Sequence, residues 1–405
     1  MVAQTFEEEI ALLAENKVVV LGTNYYIGLG TIRCFRKAGV TVVAADYDRR
    51  SYGMRSKYVN ERLWLSDYKK EPAKVVEQLI SYAKQQTAKP VIIPTHDNYL
   101  LFLDKYQAEL RPYYLMSLPE QGLATKVVEK DSLYALAKQY DCLFPPTLDV
   151  DDENLYTKAA NELAYPLIVK PIDSPAFTAR FRCKSFVCEN ETELKSAIEK
   201  VKAAKIPCCV QKIIVGNDEN MLLFDAYVQQ NSEIKHVFTG SKLRQWPINF
   251  GASCLMYQHY IPELVEVGKK FLSDIKWRGF AEIEFKRDDR DGKIYLIEIN
   301  ARITNFNACI AACGINVPLL TYEDLVGLPL TPAELEIKED LHIGFKYGYE
   351  DFLAKRAYYK SNQWTKEHLK QQEEGITFVR AIFAKDDWLP TWQFVWNKIR
   401  KKLGI

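Results

Sequence analysis

The stretch Phe280-Ala-Glu-Ile-Glu-Phe-Lys286, the turn Asp288-Asp289-Arg290-Asp291-Gly292, and the run Lys293-Ile-Tyr-Leu-Ile-Glu-Ile-Asn300 decide the reading of this chain. Two apolar-rich runs around a polar turn closed by glycine predict a β-hairpin. Side chains two apart share a face of a strand, so Glu282 pairs with Glu284 and Glu298 with Asn300. Partners across the turn add to an even number, which puts both pairs on one side of the sheet. Ile283, Phe285, Ile297 and Ile299 take the other face and anchor the hairpin in a core. Three carboxylates and an amide on one face repel unless a cation joins them. An oxygen-only set of this kind suits Mg²⁺, which binds through one or two carboxylates and leaves other positions to water and phosphate. Arg302 continues the row and brings a guanidinium to those phosphates. Charges on a strand are also common on a plain solvated face. Glu282 fits either description.

Upstream, Lys17-Val-Val-Val-Leu-Gly22 reads as a buried strand ending in a glycine turn. A helix over about 29–38, a strand at 40–46, a helix at 72–86 and a strand at 91–94 follow. Strands alternating with helices predict a doubly wound parallel sheet ending near Leu118. This start imitates a dinucleotide-binding domain, the basis of an alternative reading as an NAD-dependent oxidoreductase. The fingerprint needs glycine where Asn24 and Ile27 stand, so the spacing fails. From about 119 onward, strands mixed with helices predict an α+β second half. A polar, basic loop is expected from Pro171 to Lys184.

The chain has 405 residues, enough for two or three domains, and its 54 basic and 53 acidic residues exclude a global field that would draw in nucleic acid. Nine cysteines without a C-x-x-C pair give no support to a zinc ribbon and predict reduced, mostly buried thiols in a cytoplasmic protein. Residues Met1 to Ile10 lack the apolar core of a signal peptide, and no apolar run reaches membrane-spanning length. Near the end, Trp392, Phe394, Val395 and Trp396 stand beside Lys398, Arg400, Lys401 and Lys402. Such a helix over 392–405 either makes weak contact with a membrane surface or packs on the body with a solvated basic end.

Lys130 precedes a helix starting at Asp131-Ser132, and Lys170 ends the apolar run Pro166-Leu-Ile-Val-Lys-Pro171. A lysine ending a buried strand must meet an anion or reach solvent. Taken in order, Lys130, Lys170, Val210-Gln-Lys-Ile-Ile-Val-Gly216 and the two hairpin strands resemble the ATP-grasp superfamily over roughly residues 119–330. The residues Ile93-Pro-Thr-His-Asp97 are similar to part of a pre-ATP-grasp domain. The segments Thr239-Gly-Ser-Lys-Leu-Arg-Gln-Trp-Pro247 and Phe250-Gly-Ala-Ser253 resemble the carboxylate–amine ligase branch, including the D-aspartate ligases of peptidoglycan cross-bridge synthesis.

The resemblance implies an α/β plus α+β architecture. A pre-ATP-grasp domain at 1–118 precedes a two-lobed ATP-grasp domain at 119–330, with lobes at 119–208 and 209–330 and an aromatic, basic extension at 331–405. It implies ATP and Mg²⁺ (or Mn²⁺) as cofactors. Lys130 and Lys170 would hold phosphates; Gln211, Lys212 and Ile214 would face adenine; Asp218 would accept from ribose. Glu284, Glu298 and Asn300 would bind the metal, with Lys242, Arg244 and Arg302 near the transferred group. The lid of such folds is commonly glycine-rich, whereas 173–182 has none, so Ser174, Thr178, Arg180 or Arg182 would substitute or the loop closes differently. The expected reaction activates a carboxylate as an acyl phosphate and joins it to an amine, releasing ADP and phosphate. His96, Asp97 and Glu282 are candidate bases. The expected partners are an amino acid or other carboxylate and an amine acceptor, and a homodimer is compatible with these features. Carboxylation on the same nucleotide site, or an inert scaffold on a degenerate fold, are the remaining alternatives.

Overall fold

The computed structural model describes residues 15–172, 174–183, 185–249 and 251–404. Met1 to Ile10, Asp173, Lys184 and Phe250 lie outside the described residues, as do the side chains of Ser174 and Pro175. The chain forms two compact units. The larger comprises 1–140, 217–285 and 298–405; the smaller comprises 141–216 and 286–297.

In the larger unit, β1 (Val18–Leu21), β2 (Val42–Asp46), β3 (Glu61–Trp64) and β4 (Val91–Pro94) form a parallel sheet in the order β3-β2-β1-β4. Every residue of β1 and β2 is buried, as expected of a parallel sheet covered on both faces. The turn after β1 is tight. Gly22 has φ +94, and a Cβ there would sit 2.8 Å from the Tyr99 ring. The Thr23 N–H donates to Asp46 Oδ2 at 2.6 Å, and Asp46 is fully buried. The carboxylate that a dinucleotide ribose would require is therefore committed to the protein's own backbone. This counts against the oxidoreductase alternative.

The smaller unit holds an antiparallel sheet of β5 (Thr147–Asp149), β6 (Leu167–Pro171), β7 (Phe186–Cys188) and β8 (Cys208–Lys212), in the order β5-β8-β6-β7. The helix Glu191–Ala203 packs Leu194, Ile198 and Val201 into its core, and the Asn190 side chain caps it by accepting from the Glu193 N–H. The segment expected as a loop before Lys184 is instead the helix Ser174–Phe181. Phe177 and Phe181 are one helical turn apart, and their rings meet Phe186 at 5.0 Å each. Burial of that ring cluster outweighs the polar content of the segment.

The remaining strands build the large sheet: β9 (Met221–Val228), β10 (Ile234–Trp246), β11 (Ala252–Gln258), β12 (Gly279–Arg287), β13 (Ile294–Asn300), β14 (Leu335–Glu336), β15 (Ile343–Lys346) and β16 (Thr377–Arg380). Their order is β13-β12-β9-β10-β11-β15-β16, with β14 beside β10. Residues 331–405 thus supply three strands to this sheet. The core cluster of the larger unit runs from Val18 and Ile93 to Leu223, Phe238 and Phe345. All nine cysteines are free thiols. No helix among the described residues is long and apolar enough to cross a membrane.

The register of β10 against β11 shifts between Lys242 and Arg244 and again between Arg244 and Gln245. A bulge of this kind re-aims side chains, and these two cations, two residues apart, go to different neighbours. Arg244 is fully enclosed. Its guanidinium donates to Asp351 at 2.6 Å, to Gln372 at 2.7 Å, to the Leu369 carbonyl at 3.1 Å and to Glu373. It clamps the helices Gly348–Lys360 and Lys366–Gln371 and is not directed at a reacting group. This corrects the expectation that it stands with Lys242.

Burial alone would raise the Glu373 carboxyl, but hydrogen bonds from Lys346 and Lys355 and the Arg244 charge hold it at about 2. A depressed carboxylate contributes stability that is complete above its unfolded value, near 4.5, and lost as pH falls toward 2. Glu373→Gln should therefore lose on the order of 2–3 kcal/mol at neutral pH, and its unfolding free energy should depend less on pH between 5 and 2 than the parent's. Parallel pH profiles of urea unfolding for the two proteins would contradict this.

Candidate functional site

The carboxylate row assembles in the larger unit where β12 and β13 meet β9 and β10. Glu284 and Lys242 are both buried and form an ion pair, with Lys242 Nζ donating to Glu284 Oε2 at 2.6 Å. Glu282 accepts from Asn300 Nδ2 at 2.6 Å and from the Thr304 hydroxyl. It is 2% exposed, which settles the choice between row member and surface residue. Asn300 turns its oxygen to Arg302, whose Nη2 donates at 3.0 Å. Arg302 also pairs with Asp97 Oδ1 at 2.9 Å, at the start of the helix Asp97–Lys105. Glu298 is half-buried on the same face and is felt electrostatically by Glu284, Lys242 and Arg302. Ile283, Phe285 and Ile299 fill the core behind the row. The alternation of β12 and β13 brings the hairpin residues together as expected.

Asp225 was not foreseen. It stands alone in the otherwise uncharged strand Met221–Val228 and is 2% exposed, with neither carboxyl oxygen hydrogen-bonded to a donor among the described residues. Burial raises its affinity for a proton well above that of an ordinary carboxyl, and the neighbouring Glu282 and Glu284 charges add to this. Glu284 is pushed up to about 7, by burial first; Lys242 opposes the rise, and Glu298 and Glu282 reinforce it. Asp225, Glu282, Glu284 and Glu298 face two cations, Lys242 and Arg302, and Arg302 is shared with Asp97. The deficit is met by holding protons or by admitting a cation.

That charge deficit fits a divalent metal, and the donor chemistry agrees. Glu284, Glu298 and the Asn300 oxygen are hard ligands of the kind Mg²⁺ takes, with water and phosphate completing its shell. Among the described residues no group of three or more His, Cys, Asp or Glu forms a self-sufficient metal cage. A site completed by substrate phosphates needs none.

The other expected site residues divide. In the smaller unit, Lys170 donates to Gln211 Oε1 at 2.7 Å, and Gln211 Nε2 donates to the Thr147 hydroxyl at 2.9 Å. Lys212 lies 5.2 Å from the centre of the Tyr295 ring and 3.7 Å from Asp288. Ile214 is buried. In the larger unit, Lys130 is exposed and opens the helix Lys130–Gln139. Asp218, expected at the ribose, is 1% exposed. Its carboxylate accepts from the Gln245 N–H at 2.9 Å, from Gln245 Nε2 at 2.7 Å and from the Tyr358 hydroxyl. It ties β10 to the helix Gly348–Lys360 and presents no free oxygen to a sugar.

No family model matches the sequence. The fold is that of the N5-carboxyaminoimidazole synthetase of Staphylococcus aureus solved with ADP: TM-score 0.61, 15% identity, 87% of each chain covered. It is also that of the Campylobacter jejuni biotin carboxylase in a β,γ-ATP complex: TM-score 0.58, 16% identity, 80% of this chain and 74% of that one. These likenesses show the fold, which is the one that the resemblance to ATP-grasp proteins implied, and the carboxylate row stands within it. This chain's sequence is 27% identical over 323 residues, 76% of each chain, to the D-aspartate ligase of Enterococcus faecium (strain Aus0004), of which it is a homologue.

Two substitutions separate support from chemistry. Asp218→Asn should cost on the order of 1–3 kcal/mol of stability and leave the KM for ATP unchanged; a raised KM with an unaltered unfolding midpoint would return Asp218 to the nucleotide. Lys242→Met leaves Glu284 without its counter-charge and should cost about 3–5 kcal/mol in urea unfolding. A loss below about 1 kcal/mol, the range of an exposed pair, would show that the two groups are not coupled.

Proposed function

We propose that this protein forms an amide by activating a carboxylate as an acyl phosphate and passing the acyl group to an amine, with release of ADP and phosphate. The convergence of Glu284, Glu298 and Asn300 with Arg302 on one face of the β12–β13 hairpin carries this reading. Similarity to a D-aspartate ligase favours an amino acid, D-aspartate first, as the carboxylate, and the resemblance read from the sequence adds a peptidoglycan precursor as the amine acceptor.

A free carboxylate resists attack because its leaving group would be oxide. Transfer of the γ-phosphoryl group of ATP to a carboxylate oxygen supplies a phosphate that departs when the amine adds. Mg²⁺ held by Glu284, Glu298 and Asn300 would neutralise the phosphate charge that gathers in this transfer. Arg302 reaches the same row through Asn300, and Asp97 pairs with the guanidinium, which would hold its donors preorganised for the transferred group. Lys242 adds positive charge from beneath. In the smaller unit, the Lys170 ammonium and the strand end at Gln211, Lys212 and Ile214 are the nucleotide-binding groups in this proposal.

The amine must be neutral to attack. Of the three candidate bases, Asp97 is committed to Arg302, and Glu282 is enclosed by Asn300 and Thr304. His96 remains. Burial holds its imidazole below the usual range, Asp97 opposes this and Arg302 assists, so it is neutral and able to accept a proton at pH 7.

Purified protein should release ADP only when a carboxylate and an amine are supplied together, and hydroxylamine should trap the activated carboxylate as a hydroxamate. D- and L-amino acids are screened as the carboxylate, with a peptidoglycan precursor as acceptor. AMP and pyrophosphate as products would overturn the acyl-phosphate route. ADP release driven by bicarbonate in place of an amino acid would move the chain to the carboxylating reading. Glu298→Ala should lose about a hundredfold or more in turnover with its unfolding midpoint unchanged; near-parental turnover would remove the metal assignment.

A further inference from the structure

The helix Leu389–Leu403 is docked by one face only. Pro390 is buried, Phe394 meets the Tyr52 and Tyr349 rings edge-on at 5.7 and 6.1 Å, and Asn397 Nδ2 donates to the Arg50 carbonyl at 2.8 Å. The opposite face carries Leu389, Trp392, Trp396, Ile399 and Leu403, spaced three and four residues apart so that they form one stripe. The helix thus packs on the body through Pro390 and Phe394, one of the two arrangements expected, and still leaves this second apolar stripe uncovered. Trp392 and Leu403 are each 65% exposed and Trp396 is 52% exposed. Phe383, shortly before the helix, is exposed as well.

Charge decides what covers the stripe. Between Leu389 and Leu403 stand Lys398, which lies over the Tyr349 and Phe394 rings of the docked side, and Arg400, Lys401 and Lys402, with no aspartate or glutamate. A second copy of the helix laid on the stripe would bring four more cations and no carboxylate of its own to meet them. An anionic lipid surface meets both demands. Its headgroups attract the cations, and the headgroup–acyl boundary takes tryptophan rings and aliphatic side chains to a shallow depth. The helix has 15 residues and is not apolar enough to span a bilayer, so it would lie in the interface plane. We propose that this face docks the enzyme on an anionic membrane surface, with Trp392 and Trp396 inserted and the basic end at the headgroups. The proposal is independent of the reaction assigned above and stands or falls without it.

The test is flotation of the full chain with phosphatidylglycerol-rich vesicles and with pure phosphatidylcholine vesicles, together with tryptophan quenching by lipids brominated in the acyl chain. Flotation is expected with the anionic vesicles only, and should be lost as salt rises from about 0.1 to about 1 M. Trp392→Glu combined with Trp396→Glu should cut partitioning at least about tenfold and abolish the added quenching, with ADP release in solution unchanged. Lys401→Glu with Lys402→Glu should weaken binding by roughly fivefold or more per charge. No flotation of the parent overturns the proposal. So does a dimer in sedimentation velocity that the double tryptophan variant dissociates without any change in lipid binding, because that result makes the stripe a self-interface.

Discussion

A buried excess of negative charge governs the centre of this protein. Asp225, Glu282 and Glu284 are almost wholly removed from water, and Glu298 borders them. Burying carboxyl groups costs several kcal/mol each unless they are neutralised. Lys242 and Arg302 do part of this, and each is placed by a different device. A bulge in β10 separates Lys242 from Arg244, and the chain after β13 returns Arg302 over Asn300. The negative charge left unbalanced would suit a divalent cation and its phosphates, as proposed above. Structure and chemistry share one cause here, since the groups that would bind the metal are those the fold holds under electrostatic tension.

Around this centre the cations and anions are sorted by burial and partner, not by residue type. Arg244 and Lys242 are neighbours in sequence, yet one clamps two helices and the other serves the row. Asp218 and Asp97 are both aspartates near the expected site. The first is fully committed to Gln245 and Tyr358, while the second holds a guanidinium that remains directed at the row. Assigning roles by position in a motif treated Lys242 and Arg244 alike.

The hairpin was legible because alternation in a strand has a period of two, and a two-sided pattern of Glu, Glu, Glu and Asn against Ile and Phe admits few other arrangements. The parallel N-terminal sheet was legible from its unbroken apolar runs. The helix Ser174–Phe181 was read as a loop because prolines and arginines frame it, although the four-residue step from Phe177 to Phe181 was its signal. The bulge in β10 was not legible, because one extra residue in a ladder leaves no mark in composition. Strands β15 and β16 pair with partners distant in the chain, and neither is long enough to announce itself. Asp225 was visible as a lone charge in Met221–Val228, but only its contact with Glu282 gives that charge a meaning.

The most direct measurement of the central claim is anomalous diffraction from crystals grown with Mn²⁺ and a non-hydrolysable ATP analogue. The predicted result is a manganese peak coordinated by Glu284 and Glu298, with the β- and γ-phosphates completing its shell and the Lys242 ammonium drawn off Glu284. A peak elsewhere, or an intact Lys242–Glu284 pair with the phosphates bound away from the row, would contradict it.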